Sequence, residues 1–234
     1  MADAPERPVT AYASDSIRDL HALVGRMGDR FGLRRLGGCT GRLAWPARGV
    51  YFFVDPSEPS PVPDLPGRLV RVGTHALNTG SASTLWGRLA QHRGQENGSG
   101  NHRGSVFRKH VGGALIARDG IELATWGVGA SAGREVRATE REHEERVTRY
   151  LADLLVTYVP VLDDPGPNSM RGFVERNAIG MLSDRRLGSA ATAGWLGRHA
   201  PAKAVRESGL WNVRHIGDPV DDEFMEALER LVRG

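Results

Sequence analysis

The stretch Arg48–Leu77, RGVYFFVDPSEPSPVPDLPGRLVRVGTHAL, decides the fold. Two runs rich in β-branched and aromatic residues, Val50–Val54 and Leu69–Val72, flank a proline-rich segment. Runs of this composition, bounded by Pro, Asp and Gly, are typical of strands joined by a turn. The pattern therefore predicts a β-hairpin that places Tyr51 opposite residues 71–74.

Helical patterns lie on both sides of this hairpin. Upstream, Ser14 or Asp15 is the predicted N-cap of a short amphipathic helix; downstream, Ser83 or Thr84 caps a helix that reaches about His92. The remaining predicted elements follow in chain order: a helix over 105–118, a strand and a loop over 119–133, a charged helix from residue 140, a buried strand over 156–162, a helix from Met170 to about Ser183 capped by Asn168 or Ser169, a strand over 208–217, and an amphipathic helix over 221–232. The charged run 134–146 is typical of a solvated helix face.

Composition indicates an ordinary globular protein. The chain has 234 residues, 40% apolar and 25% charged, enough to bury a substantial core. We find no run of about 18 apolar residues, which argues against a membrane span, and no basic start followed by an apolar segment, which argues against a secretory signal. The single cysteine, Cys39, cannot form an internal disulfide, so a reducing cytoplasm is expected. A buried thiol is favoured over a reactive one.

The charge balance is mildly basic, with a formal net charge of +3 and a pI of about 9.4. Almost all the basic residues are arginines, whose planar fork suits phosphate. A basic chain of this kind is compatible with a nucleic-acid partner. A GC-rich coding sequence would produce the same arginine excess, so composition alone leaves both interpretations open.

Two predicted helices carry charged residues at the edge of their apolar stripe. Arg88 and His92 lie four residues apart, on one side of the helix after the hairpin. Glu175 falls inside the apolar arc of the helix that begins at residue 170. Charges in such places are costly unless they are paired or used. The structural alternatives stay open: a snorkelling arginine, a satisfied core histidine, and an ion pair of Glu175 with Arg171 or Arg176.

Together with Tyr51, these residues form a coherent chemical set. Phosphodiester hydrolysis needs an activated water, a metal ion that draws charge from a phosphate oxygen, and a cation beside the developing negative charge. Tyrosine or histidine moves protons, glutamate binds Mg²⁺ through oxygen, and arginine holds phosphate. Separately, Arg103, Arg108 and Lys109 are candidates for binding a phosphate backbone, with a solvated basic face as the equal alternative.

The motifs resemble those of the GIY-YIG nuclease family. They are GVY at Gly49–Tyr51, VRVGT at Val70–Thr74, LWGRLAQH at Leu85–His92 and FVERNAIGMLS at Phe173–Ser183. More specifically, RVGTHAL, LWGRLAQHRG and GNHRGSVFRKHVG resemble a bacterial branch of GIY-YIG domain proteins.

The resemblance covers roughly Arg48–Ser183 and implies a fold of the α+β (mixed αβ) class. We expect a small antiparallel or mixed sheet flanked by helices. The implied parts are an N-terminal helical extension over 1–47, a nuclease core over 48–183 with an insertion around 119–139, and a C-terminal strand and helix extension over 184–234 that packs on the core.

The resemblance also implies an endonuclease that depends on Mg²⁺ or Mn²⁺ and acts on nucleic acid, with DNA preferred over RNA. Restriction, defence and repair are the roles it suggests. By this analogy, Tyr51 helps to activate the attacking water with the assistance of His92. Arg88 contacts the scissile phosphate, and Glu175 holds the metal.

The sequence departs from the family pattern at the second motif, where Arg71 stands in place of a tyrosine. Either Arg71 contacts phosphate, or Thr74 or His75 supplies the missing polar group. The asparagine expected beyond the glutamate corresponds to Asn177 or, as a candidate site residue, to the distant Asn212. A nucleic-acid-binding module with weakened catalysis is therefore the alternative to an enzyme. Double-strand cutting from one site requires a homodimer or two sequential nicks, so a homodimer stays open.

Overall fold

The computed structural model describes residues 9–184 and 191–234. This part of the chain contains seven α-helices and a four-stranded sheet, which confirms the α+β class. In chain order the elements are α1 (Val9–Phe31), β1 (Arg34–Arg35), β2 (Gly49–Asp55), β3 (Arg68–Gly73), α2 (Leu85–Arg93), α3 (Val106–Asp119), α4 (Arg134–Asp153), β4 (Leu155–Pro160), α5 (Met170–Ser183), α6 (Lys203–Ser208) and α7 (Phe224–Arg233). Short 3₁₀ turns lie at Leu36–Gly38, His102–Gly104 and Leu196–His199.

The sheet has the order β1-β4-β2-β3, and every neighbouring pair is antiparallel. Tyr51 on β2 lies opposite Gly73 on β3, and Phe53 lies opposite Arg71. A bulge follows Phe53, where the register shifts. Opposed residues of an antiparallel pair share one face of the sheet. The register therefore places Tyr51, Arg71 and Gly73 on the same face.

Helices cover both faces of the sheet, so the strand residues alternate between two cores. On one face, Val50 and Phe52 pack with apolar residues of α1, α5 and α7. On the other face, Tyr51 and Phe53 pack with apolar residues of α2, α3 and α4. Trp211 closes this second core after α6. Because both faces are covered, β2 and β3 are buried along their whole length.

Several sequence predictions are confirmed. The hairpin forms as expected, and its neighbour β4 is the predicted buried strand. Thr84 caps α2, and its side chain accepts the Gly87 N–H. Ser169 caps α5 in the same way, by accepting the Gly172 N–H. Cys39 is a free, buried thiol. No helix in the described ranges is long and apolar enough to cross a membrane.

Three predictions of local structure are wrong. The N-cap of α1 is not at Ser14 or Asp15: the helix begins at Val9, and both residues lie inside it. Residues 119–133 contain turns in place of the predicted strand. Residues 208–217 also form no strand, since α6 occupies the first of them and the rest lies beside β3 through separate hydrogen bonds.

The charged run on α4 is not a simple solvated face, which is the fourth correction. Glu140, His143 and Glu144 are buried, with exposed fractions of 2%, 4% and 5%. Residues spaced by three or four share one side of a helix, and here that side faces α3. The segment 119–133 lies between these elements, and Trp126 stacks on His102 with ring centroids 3.8 Å apart.

Candidate active site

The centre of the candidate site is a hydrogen bond between β2 and α2. Tyr51 Oη lies 2.8 Å from His92 Nε2. Tyr51 reaches α2 because it faces the same core as the apolar side of that helix, where His92 lies one turn after Arg88. Both residues are almost completely buried, with exposed fractions of 1% and 0%. The pair is therefore shielded from bulk water.

Gly73 creates the space that the Tyr51 hydroxyl occupies. A Cβ at position 73 would lie 2.2 Å from Tyr51 Oη and 2.4 Å from Cζ of the same ring. Real Cβ atoms do not approach other atoms so closely, so a side chain at this position requires the tyrosine to move. The glycine of the second motif thus has a steric role on the strand opposite the tyrosine of the first.

The electrostatic environment keeps His92 neutral. Burial lowers the pKa of His92 well below its usual value, and the positive charges of Arg71, Arg88 and Arg108 lower it further. A neutral imidazole has one N–H donor and one lone pair. Its second nitrogen, Nδ1, lies 2.8 Å from Ser105 Oγ.

Glu175 joins the site from α5. Its Oε1 accepts the backbone N–H of Thr74 at 3.2 Å, which ties α5 to the end of β3. Burial raises the pKa of this carboxyl, while the charges of Arg71 and His215, the Thr74 N–H and the charge of Arg88 act in the opposite direction. The Glu175 carboxylate is therefore largely shielded from water and lies near the positively charged Arg71 and Arg88.

The donors around Glu175 are compatible with a divalent metal bound through one protein carboxylate. In the described parts of the chain, Oε2 of Glu175 accepts no protein hydrogen bond, and no group of three or more His, Cys, Asp and Glu residues is placed to hold a metal. Mg²⁺ commonly keeps several waters and takes one or two carboxylates plus substrate phosphate. The chemistry of this single carboxylate fits that mode and does not fit an all-protein cage.

Two arginines flank the tyrosine–histidine pair. The half-buried Arg88 donates to Gln91 Oε1 at 2.8 Å and to the Gly104 carbonyl at 3.4 Å. Arg71 donates to the Trp211 carbonyl at 2.8 Å, and its guanidinium lies 4.8 Å from the centre of the Phe107 ring. The Nε atom of Arg71 is buried without a hydrogen-bond partner among the described residues. Arg71 therefore brings an incompletely satisfied cation to the face where the family motif has a tyrosine.

Thr74 and His75 continue the chain past β3 in a fixed conformation. Thr74 Oγ1 donates to the Gly49 carbonyl at 2.9 Å, which closes the open end of the hairpin. His75 Nδ1 donates to the Ser83 carbonyl at 3.0 Å, while burial, as the largest cause, lowers the pKa of His75 to about 4. Arg171 donates to the carbonyl of His75 at 2.7 Å and to Asp163 Oδ1 at 2.6 Å. Arg171 thus pairs with Asp163, and no ion pair joins it to Glu175.

Two other predicted phosphate-binding residues, Arg103 and Arg108, face carboxylates, although Arg108 also donates to the His92 carbonyl at 3.0 Å. Arg103 pairs with Glu140, with both side chains buried. Arg108 is fully buried and pairs with Glu144 at 2.6 Å. In the described structure these two guanidinium groups are thus already occupied by carboxylates.

Lys109 and Asn212 have different surroundings. Lys109 is exposed and donates to the Gly127 carbonyl at 3.0 Å. Asn212 is buried and extends the pairing of β3, since its side chain accepts the Val72 N–H at 3.1 Å and donates to the Val72 carbonyl at 2.8 Å. Asn177, the other asparagine considered, accepts the Asp221 N–H at 2.7 Å and so positions the chain before α7.

Two residues near the site were not found from the sequence. Ser105 contacts His92, and the only local signal was its position at the start of α3, where it caps the helix. His215 lies close enough to Glu175 to affect its pKa, and its Nδ1 is 2.8 Å from Asp218 Oδ2. His215 has a left-handed backbone with φ of 61°, which no motif in the sequence indicates.

Comparison with known proteins gives one family match. The family model of the GIY-YIG domain matches residues 12–234. No curated protein and no solved structure matches the chain. The family match covers nearly the whole length, including all four elements that supply Tyr51, Gly73, His92 and Glu175. This chain therefore belongs to the GIY-YIG family, which indicates a nuclease-type function and a nucleic-acid substrate.

Proposed function

We propose that this protein is a metal-dependent endonuclease that hydrolyses phosphodiester bonds in DNA. The observation that carries the proposal is the hydrogen bond between Tyr51 Oη and His92 Nε2, set beside Arg71, Arg88 and Glu175. Each of these groups has a task in phosphodiester hydrolysis, and none of the tasks requires a residue from outside the group.

Charge stabilisation comes from the arginines and the carboxylate. Glu175 would hold a Mg²⁺ or Mn²⁺ ion, which supplies Lewis acidity at a phosphate oxygen when it is bound. Arg88 binds the scissile phosphate, for which it must exchange its weak contact with the Gly104 carbonyl for a charged partner. Arg71 contributes a second positive charge at the position of the absent motif tyrosine.

Proton movement belongs to Tyr51 and His92. The tyrosine hydroxyl orients and activates the attacking water, and the neutral imidazole stabilises the charge that develops on the hydroxyl oxygen. Tyr51 is 1% exposed, so its hydroxyl is largely shielded from bulk water.

The alternative is a GIY-YIG module that binds nucleic acid with little cleavage. The substitution of Arg71 for the motif tyrosine favours it, because a guanidinium binds phosphate but does not accept a proton. The near-complete burial of the Tyr51 hydroxyl points in the same direction. The preserved contact with His92 favours the enzyme.

Cleavage of supercoiled plasmid in Mg²⁺ or Mn²⁺ separates these functions. Metal-dependent nicking or linearisation that is lost in Glu175→Ala supports the endonuclease, and linear product without a nicked intermediate supports concerted cutting by a homodimer. Intact plasmid with retarded migration supports the binding module. If neither occurs, RNA and branched DNA are the next substrates.

Arg88 provides the sharper test of the phosphate contact. We expect Arg88→Ala to lose cleavage with little change in thermal stability, because the side chain is half-buried and its contacts are few. Arg88→Lys should recover part of the rate, since it restores the charge without the planar fork. Arg233→Ala, on α7 against the other face of the sheet, is the matched control. Wild-type cleavage by Arg88→Ala would remove Arg88 from the proposed site.

A further inference from the structure

The Ser105 hydroxyl contacts two groups, one in its own helix and one on α2. It is the N-cap of α3, and its Oγ accepts the Arg108 N–H at 3.2 Å. The same oxygen lies 2.8 Å from His92 Nδ1. Ser105 is completely buried, so water does not satisfy its hydroxyl. The direction of the Ser105–His92 hydrogen bond therefore determines which ring nitrogen of His92 carries the proton.

Counting hydrogens shows what each direction leaves unpaired. A serine hydroxyl has one hydrogen to donate and accepts through its lone pairs. If His92 Nδ1–H donated to Ser105, the serine hydrogen would need another acceptor, and the described residues offer none within hydrogen-bond distance. Buried polar hydrogens are rarely left unpaired. If Ser105 instead donates to Nδ1, the histidine proton is on Nε2, and the hydrogen left without a protein acceptor is that of the Tyr51 hydroxyl, which the proposed function directs at the attacking water.

We propose that Ser105 is a positioning residue that fixes His92 as the neutral Nε2–H tautomer, so that His92 donates its hydrogen bond to Tyr51 Oη. In this state His92 does not remove the tyrosine proton. The tyrosine proton passes to water on the substrate side, and the Nε2–H of His92 stabilises the negative charge that remains on the tyrosine oxygen. Both the tautomer and its effect on cleavage rest on the proposed function, because the Tyr51 hydrogen needs an acceptor on the substrate side.

The start of α3 holds the histidine backbone as well as its ring. Arg108 Nη1 donates to the carbonyl of His92 at 3.0 Å, and Glu144 fixes Arg108 through bonds at 2.6 and 3.0 Å. His92 is therefore held from both sides by a buried network. Ser105, which lies between the predicted phosphate-binding residues Arg103 and Arg108, therefore acts at the candidate active site.

The tautomer is measurable by NMR on the intact protein labelled with ¹⁵N-histidine. The His92 signals are assigned by their loss in His92→Gln. Wild-type protein should show a protonated Nε2 and an unprotonated Nδ1, and Ser105→Thr, which keeps the hydroxyl, should show the same. Ser105→Ala should lose this preference and populate the Nδ1–H form. A wild-type Nδ1–H signal overturns the proposal, as does an unchanged tautomer in a folded Ser105→Ala.

Cleavage provides a second readout. We expect Ser105→Ala to lower kcat about 10- to 100-fold, the range for outer partners that orient metal-bound histidines, with Ser105→Thr close to wild type. A Ser105→Ala rate equal to wild type overturns the effect on catalysis. If the wild-type protein cuts nothing, the proposed function fails, but the NMR result still decides the role of Ser105.

Discussion

Replacement of Gly73 by alanine tests whether the position of the Tyr51 hydroxyl governs activity. The new Cβ would lie 2.2 Å from Tyr51 Oη, whereas ordinary contact begins at 3.4 Å. The hydroxyl must therefore retreat by about 1.2 Å, the difference between these distances. A movement of that size breaks its 2.8 Å hydrogen bond with His92. The ring has little room to move, since Phe53 and His92 pack against it at centroid distances of 5.6 and 5.5 Å.

Two magnitudes follow for Gly73→Ala. Overpacking of a tight core costs about 1–3 kcal/mol in the free energy of unfolding. Misplacement of a reacting group by about 1 Å lowers the rate about 10²-fold. Plasmid nicking under single-turnover conditions measures the rate, and chemical denaturation measures stability. Gly38→Ala is the control, because a Cβ at that position meets no atom within 4 Å.

A double-mutant cycle with Tyr51→Phe separates steric from chemical effects. Tyr51→Phe removes the closest contact of the new Cβ, but the ring carbon Cζ at 2.4 Å remains, so Gly73→Ala should cost a similar amount of stability in that background. It should also cause little further loss of cleavage, because the hydroxyl is already absent. Wild-type cleavage by folded Gly73→Ala would refute the reasoning. A large further loss of cleavage in the Tyr51→Phe background would show that Gly73→Ala does not act through the hydroxyl.

Three further predictions concern stability and pH. Burial raises the pKa of Glu175 above its unfolded value near 4.5, so ionisation of this carboxyl destabilises the fold as pH rises through the raised value. Glu175→Gln should therefore gain stability relative to wild type with rising pH. Melting curves from pH 4 to 8 measure this gain, and a constant difference in stability would contradict the prediction. Glu144→Ala should lower the free energy of unfolding by about 3–5 kcal/mol in denaturant titrations, because it leaves Arg108 buried without its partner. The control Glu142→Ala removes a neighbouring exposed side chain and should change the free energy of unfolding little. Burial lowers the pKa of His21 from 6.5 to about 4, so stability should fall as pH decreases between these values, and His21→Gln should fall less steeply if this histidine is responsible.

The sequence predicts the local structure well where the interactions that form it are local. Strand composition and a turn-rich segment predict the β2–β3 hairpin, and side-chain capping predicts the starts of α2 at Thr84 and α5 at Ser169. Each signal acts over a few residues. The predicted strand over 208–217 is wrong because its apolar residues, Leu210 and Trp211, are buried without a continuous ladder to β3.

The identity of the candidate site residues also came from the sequence, through the family motifs. The resemblance assigns Tyr51, Arg88, His92 and Glu175 to the motifs, and the structure brings Tyr51 and His92 into contact. Their catalytic roles stay predictions. Ser105 could not be found in this way, because a helix cap is satisfied locally and carries no sign of the histidine 13 residues before it.

Only the tertiary structure decides which charges are free to bind a substrate. The spacing of Arg103 and Arg108 on the chain indicates a basic face, yet carboxylates 37 and 36 residues away bury both guanidinium groups in ion pairs. Whether a charge is solvated depends on its partners across the fold, and burial makes an unpaired charge too costly to keep. Local sequence patterns determined the elements and the motif residues. Long-range packing determined which charges are paired and which groups of Tyr51, His92 and Ser105 meet.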